Sequence, residues 1–267
     1  PPRRSAVCDD EFSRVQTEVI ALSESRLPNK GSRVESNYTF FWSGQPTGSP
    51  RYGGVGFAVS NKLVQFMAGN PQCFNHRVMT LRLKLKSSLK AVTFVSVYAP
   101  TFKAKQHEKE AFYQDLQKAI NTVSPRDLLI VLGDFNARVG SDWKTWKGVV
   151  GSEGISEVNS NGLGLLEFCC RNGLCITNTF FKHKLWHKAT WMHPRSKCLH
   201  MIDFVITRQL HRWLVHDTRV YHSVDVWSDH FFVGSSIIIP YSNFHHSRRI
   251  ISPTTKCFDV NCLSEPR

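Results

Sequence analysis

Leu128-Leu129-Ile130-Val131-Leu132-Gly133-Asp134-Phe135-Asn136 joins a short apolar run to a carboxylate and an amide. Its opening apolar run is too short for a helix and stops at a glycine, so it reads as a fully buried strand. A carboxylate and an amide then follow two positions apart. Side chains at i and i+2 of an extended chain leave on one face, so Asp134 and Asn136 would both project into a cleft beyond the strand end. A carboxylate there can hold or deprotonate a water, and an amide can donate to a developing phosphate oxyanion. A polar turn capped by Asp and Asn is the plain alternative, and the stretch alone leaves the two even.

Working outward, the pattern mixes strands and helices without strict alternation. Val78–Lys86 alternates, with Leu81, Leu83 and Leu85 on one side and Arg82, Lys84 and Lys86 on the other. It predicts a half-buried antiparallel strand with a basic outer face, and Ala91–Tyr98 is its hairpin partner. Helical spacing predicts helices over Asp9–Ala21, with Asp9 or Asp10 as cap, over Glu108–Val123 and over Gly162–Arg171. Further short strands fit Tyr38–Trp42, Val55–Val59, Leu174–Thr179, Ala189–Met192, Met201–Ile206, Thr218–Tyr221 and Phe232–Ile239. Many successive strands have no helix between them, which disfavours a regular βαβ array. The expectation is one α/β domain over residues 1–240, built as two mixed sheets packed face to face with helices outside. Residues 241–267 read as a basic, disordered tail or linker.

The chain has 267 residues, and 34 Lys and Arg against 21 Asp and Glu give a formal net charge of +13. That excess favours a polyanionic partner, nucleic acid before a membrane surface. No segment reaches the roughly 18 apolar residues that a span requires, and the first residues do not read as a signal peptide. The eight cysteines include no C-x2-C pair. They read as reduced thiols of an intracellular protein rather than as a zinc site or a disulfide framework.

Four further polar residues or groups sit at or within buried strands. Ser228-Asp229-His230 precedes an apolar run; Asp229 suits a hard cation and His230 a substrate contact. Asp203 lies inside the apolar strand Met201–Ile206, a costly position unless the carboxylate is paired. It could orient His230 and support its imidazolium. Glu24 ends Ile20-Ala21-Leu22-Ser23, and Tyr98 ends a strand before Pro100. Each alone has a bland reading as a capped turn or a hydrogen-bonded buried group. Their order, Glu, Tyr, Asp-x-Asn, Asp, Asp-His, is more specific than any part. Trp143, Trp146 and Trp191 read as loop-packing aromatics first and base-stacking ones second, and His183, His187, His193 and His200 as surface or structural residues.

Those residues, with Leu22–Leu27, Tyr38–Gly44, Gly133–Gly140, Asn159–Leu163 and Thr190–Ser196, resemble the endonuclease/exonuclease/phosphatase superfamily across about residues 10–240. Within it the chain is most similar to endonuclease domains of LINE-type retrotransposons and to craniofacial development protein 2-like proteins. The resemblance implies a DNase I-like four-layer α/β sandwich. It implies a Mg2+-dependent DNA endonuclease, with Mn2+ as substitute, that leaves a 3′ hydroxyl. Glu24 would be the main metal ligand and Asp229 a second carboxylate near the metal. Asp134 would position or deprotonate the attacking water. Asn136 and Tyr98 would contact the scissile phosphate. His230, partnered by Asp203, would stabilise the transition state. The implied partner is DNA, with RNA second, and the implied setting a nuclear monomer. Members usually open on an asparagine-bearing strand, whereas no Asn precedes Asn29 here, so a fold lacking that strand is expected. A catalytically inactive nucleic-acid-binding remnant and a phosphatase of the same fold are the competing readings.

Overall fold

The computed structural model of the protein describes residues 3–50, 52–84, 91–226, 228–239 and 255–261. Helix α1 (Arg4–Arg14) leads into β1 (Val19–Ser23), β2 (Lys30–Val34), β3 (Tyr38–Ser43), β4 (Val55–Ser60) and the single-turn α2 (Asn61–Val64). Next come β5 (Gln72–Cys73), β6 (Val78–Leu83), β7 (Val92–Tyr98), α3 (Gln106–Asn121), β8 (Leu128–Asp134), α4 (Ser160–Arg171) and β9 (Leu174–Ile176). The chain continues through β10 (Trp191–Met192), β11 (Leu199–His200), β12 (Asp203–Arg208), β13 (Val215–Tyr221), β14 (Phe232–Ile237) and β15 (Thr255–Asn261).

Two sheets result, ordered β13-β14-β15-β1-β4-β3-β2 and β5-β6-β7-β8-β12-β9, with β10-β11 a separate hairpin. The inner faces meet through Ala21, Phe57, Leu81, Phe94, Ile130 and Val205. On the far side of the second sheet, Val95, Val97 and Val131 pack under Phe112, Leu116 and Leu165 of α3 and α4. On the far side of the first, Ile20, Leu22 and Phe40 pack under Phe12 of α1. Alternating residues of β1 thus serve two cores, which is why Val19–Ser23 is apolar almost throughout. This is the four-layer sandwich the sequence predicts.

Several local expectations change. Asp9 does not cap a helix; it is buried and accepts hydrogen bonds from the backbone amides of Asn37 and Tyr38 at 3.1 and 2.8 Å. Helix α1 accordingly starts earlier and stops at Arg14, and Gln16 takes a left-handed φ of 53° before β1. The stretch expected as a strand to Thr179 leaves the sheet after Ile176 as a 3-10 turn. Arg82, expected on a solvated face, reaches the fully buried Asp127 at 2.7 Å. The part of the basic face beyond Lys84 lies outside the described residues.

Residues 255–261 depart from the expected tail. β15 runs parallel to β1, with Ser23 beside Asn261, and antiparallel to β14, with Val233 beside Asp259. No strand precedes α1 among the described residues, and β15 fills the gap between β1 and β14. Without it, both strands would carry unpaired backbone groups inside one sheet. The remainder of 241–267 lies outside the described residues. Among those described, no helix is long and apolar enough to cross a membrane.

Candidate active site

β8 runs parallel to β7 and antiparallel to β12, with Asp134 beside Tyr98 on one side and Asp203 on the other. Register alone therefore gathers three of the expected residues at one end of the second sheet. Gly133 makes the close approach possible. Its φ is 144°, and a Cβ there would lie 2.0 Å from the Val97 carbonyl oxygen. Glu24 follows β1 and Asp229-His230 precedes β14, which brings the first sheet's contribution to the same end.

The more enclosed part of the site is the buried pair Asp134 and Asp203 with the half-buried His230. His230 Nδ1 lies 2.9 and 3.2 Å from the two Asp203 carboxylate oxygens. Asp203 is 1% exposed and its amide donates to Thr190 Oγ1 at 3.2 Å. Asp134 is also buried; it accepts from the Asn136 amide at 2.7 Å and from Asn136 Nδ2 at 3.1 Å. Burial pushes the Asp134 carboxyl up to about 8, and the Asp203 charge adds to the push. Burial opposes charge on His230, but the attraction and hydrogen bond of Asp203 outweigh it and carry the imidazole up to about 10. A carboxyl that gives up its proton near neutrality thus sits beside a stable imidazolium, a pairing suited to proton abstraction and anion stabilisation.

The second cluster is half-exposed. The Tyr98 hydroxyl donates to Glu24 Oε1, and Arg26 Nη2 lies 2.9 Å from Glu24 Oε2. Burial, then the Glu24 charge, hold the Tyr98 phenol well above its ordinary range, so it stays a donor. Glu24 and Arg26 both take left-handed φ angles, 52° and 51°. Arg77 covers the Tyr98 ring at 5.4 Å and donates to its carbonyl at 3.2 Å.

Asp134, Asp203 and His230 come together and Tyr98 meets Glu24, whereas Asn136 and the expected metal pair differ from expectation. Asn136 Nδ2 donates to Asp134 and to the Ala99 carbonyl at 3.0 Å, so its amide braces the strand end. Glu24 and Asp229, the expected metal pair, do not join the group whose ligand atoms lie within 4.8 Å of one another; that group is Asp134, Asp203 and His230. Asp229 Oδ2 instead accepts from Trp191 Nε1 at 3.1 Å. The donor set still suits a hard cation. Glu24 and Asp203 both bear on Asp134 electrostatically, and Asp229 bears on His230. A cation near Glu24, Asp134 and Asp203 would relieve the repulsion that raises the Asp134 carboxyl.

The endonuclease/exonuclease/phosphatase family matches residues 2–235. The chain belongs to this family. It is 30% identical to craniofacial development protein 2 of Bos taurus over 259 residues, covering 97% of this chain and 41% of that protein. The protein of the same name from Tragulus javanicus is 31% identical over 257 residues, covering 96% and 42%. The chain thus spans about two fifths of the length of these relatives. Among solved structures, the fold resembles the endonuclease domain of TRAS1, a telomere-specific non-LTR retrotransposon. The TM-score is 0.58 and identity 17%, over 85% of this chain and 89% of that one. AP endonuclease LMAP from Leishmania major gives a TM-score of 0.60 at 13% identity, over 85% and 80%. The 3′ phosphatase NExo from Neisseria, bound to product DNA hairpin, gives 0.55 at 18%, over 86% and 95%.

Three residues were not legible as site residues. Trp191, read as loop packing, holds Asp229 and lies 6.1 Å from the His230 ring. Arg26 engages Glu24 from two positions along, a spacing that only the left-handed backbone brings together. Asn161 Nδ2 donates to the Asn136 carbonyl at 2.9 Å and the Pro100 carbonyl at 3.3 Å. The signal for it was a second Asn at the start of a helix already capped by Asn159.

Proposed function

We propose that this family member is a Mg2+-dependent phosphodiesterase acting on DNA, an endonuclease of retrotransposon origin. One observation carries the reading: Asp134, Asp203 and His230 bring their ligand atoms within 4.8 Å of one another, and Asp203 holds His230 Nδ1 at 2.9 Å. Asp134 takes the proton of an attacking water, and the Asn136 amide keeps its carboxylate aimed. His230, fixed through Nδ1 by Asp203, donates to a phosphoryl oxygen as negative charge builds there. Tyr98 remains protonated, and its single O–H, which Glu24 accepts in the metal-free protein, would turn to the phosphate once Glu24 takes up the cation. Glu24 and Asp229 would hold Mg2+, or Mn2+ in its place, which supplies charge stabilisation for the phosphoryl group and leaving oxygen. The +13 net charge supports a polyanionic substrate over a small phosphate ester.

The test is nicking of supercoiled plasmid by the full chain with Mg2+ or with EDTA. The wild type should nick only with Mg2+. Asp134→Ala and His230→Ala should each be about a hundredfold slower or more. A wild type no faster than these variants overturns the endonuclease reading. Steeply salt-dependent DNA binding would then favour an inactive binding module, and phosphate release from an inositol polyphosphate a phosphatase.

A further inference from the structure

Outside the catalytic residues, the catalytic face carries an aromatic stack for which the proposed chemistry has no use. Trp186 lies in a 3-10 turn, Leu185–His187. Its ring stacks on His222 with centroids 4.4 Å apart and planes at 17°. The arrangement is fixed from several sides. His222 Nε2 lies 2.8 Å from the Trp186 carbonyl oxygen, and His187 Nδ1 lies 3.2 Å from that of Val220. Phe231 closes the cluster, 4.5 Å from His222 and 5.5 Å from Trp186. Even so, Trp186 remains 45% exposed. A tryptophan serving only packing would be expected to bury its ring; this one is held in place and presented.

Its position is fixed by topology. β14 begins two residues after His230, and Tyr221 of β13 pairs with Phe232 of β14. His222 therefore lies at the catalytic end, displaced toward the β13 edge of the first sheet. The Phe231 amide donates to the Thr190 carbonyl at 2.7 Å, and Thr190 Oγ1 accepts from the Asp203 amide. The stack is thus braced against the strand ends that carry Asp203 and His230. Lys182 and Lys184 are exposed just before it in the chain, whereas Lys188 is taken up by Glu153 at 3.1 Å.

We propose that Trp186, backed by His222, is a stacking platform for an unpaired nucleobase of the bound strand, with Lys182 and Lys184 meeting the flanking phosphates. A base inside a duplex is stacked on both sides and has no face to offer. A displaced or single-stranded base has one, and aromatic stacking accepts any base because every base presents a π-face. Positive charge beside the ring supplies the complement to the backbone. The proposal rests on the nucleic-acid part of the function proposed above and adds a preference for unpaired DNA near the cleavage point.

The test is binding of the full chain, in EDTA, to a fluorescent single-stranded DNA oligonucleotide and to the same strand in a blunt duplex. Trp186→Ala should weaken single-strand binding about tenfold and leave the slope of affinity against salt unchanged. Trp186→Phe should recover most of the loss, and Trp186→Leu, which keeps bulk without a π-face, should not. Lys182→Ala with Lys184→Ala should lower the salt slope for the single strand by about 1.4. An oligonucleotide of wholly abasic sites should bind wild type and Trp186→Ala equally. If Trp186→Leu matches wild type, or the abasic strand keeps the difference, the platform is overturned. Because EDTA removes catalysis, a stacking effect without plasmid nicking would sink the endonuclease reading and leave the platform standing.

Discussion

The two halves of the candidate active site are built in opposite ways. Asp134 and Asp203 are buried and meet through strand register, with half-buried His230 joined to Asp203 by its Nδ1, whereas Glu24 and Arg26 are 37% and 44% exposed and meet through left-handed backbone. In the dry half, burial raises the Asp134 carboxyl, while the Asp203 charge raises the His230 imidazole against its own burial. In the wet half, oxygens stay accessible, as a cation arriving with its waters requires. Tyr98 touches both, since its hydroxyl donates to Glu24 while its backbone pairs beside Asp134. The contrast teaches that one site can separate proton chemistry from cation capture by placing them in different solvents.

Breaking the dry half should cost most. Asp203→Asn keeps shape but removes the charge that holds His230 protonated, and nicking should fall about a hundredfold or more. Proline at Phe258 comes next. A strand paired on both sides uses every N–H with one neighbour or the other, so Phe258→Pro should lose about 1–3 kcal/mol in chemical unfolding. Hydrogen exchange should then quicken in β1 and β14, which carry one half-site each, before β7 and β8. Glu24→Gln should act on the wet half alone, raising the Mg2+ needed for half-maximal nicking about tenfold with a smaller effect at saturating metal. Asp134→Asn sharpens the contrast through stability. The folded chain keeps a proton on Asp134 that the unfolded chain loses above about pH 3.8, so this group makes stability fall as pH rises toward about 8. A pH series of melting temperatures should show a shallower decline for the variant.

The dry half was the more legible in sequence. An Asp after a five-residue apolar run and an Asp inside another have few uses, and antiparallel pairing of the two strands puts them side by side. Asp203 and His230 needed only chemistry to be joined. The wet half was less legible because backbone conformation, not residue type, turns Arg26 onto Glu24. Trp191 was illegible for another reason: its indole N–H finds Asp229 across 38 residues, and an aromatic in a short strand looks the same whether it packs or donates. β15 lay beyond periodicity altogether. Its partners, β1 and β14, are distant in the chain, and a short run in a basic stretch gives no sign of which gap it fills.

Asp203 is proposed to hold His230 charged beside a buried, protonatable Asp134, and NMR titration of the His230 ring in metal-free protein tests this directly. In the wild type the imidazolium should persist to about pH 10, and in Asp203→Asn it should lose its proton several pH units lower. A wild-type His230 that titrates near its ordinary 6.5, unmoved by Asp203→Asn, would contradict it.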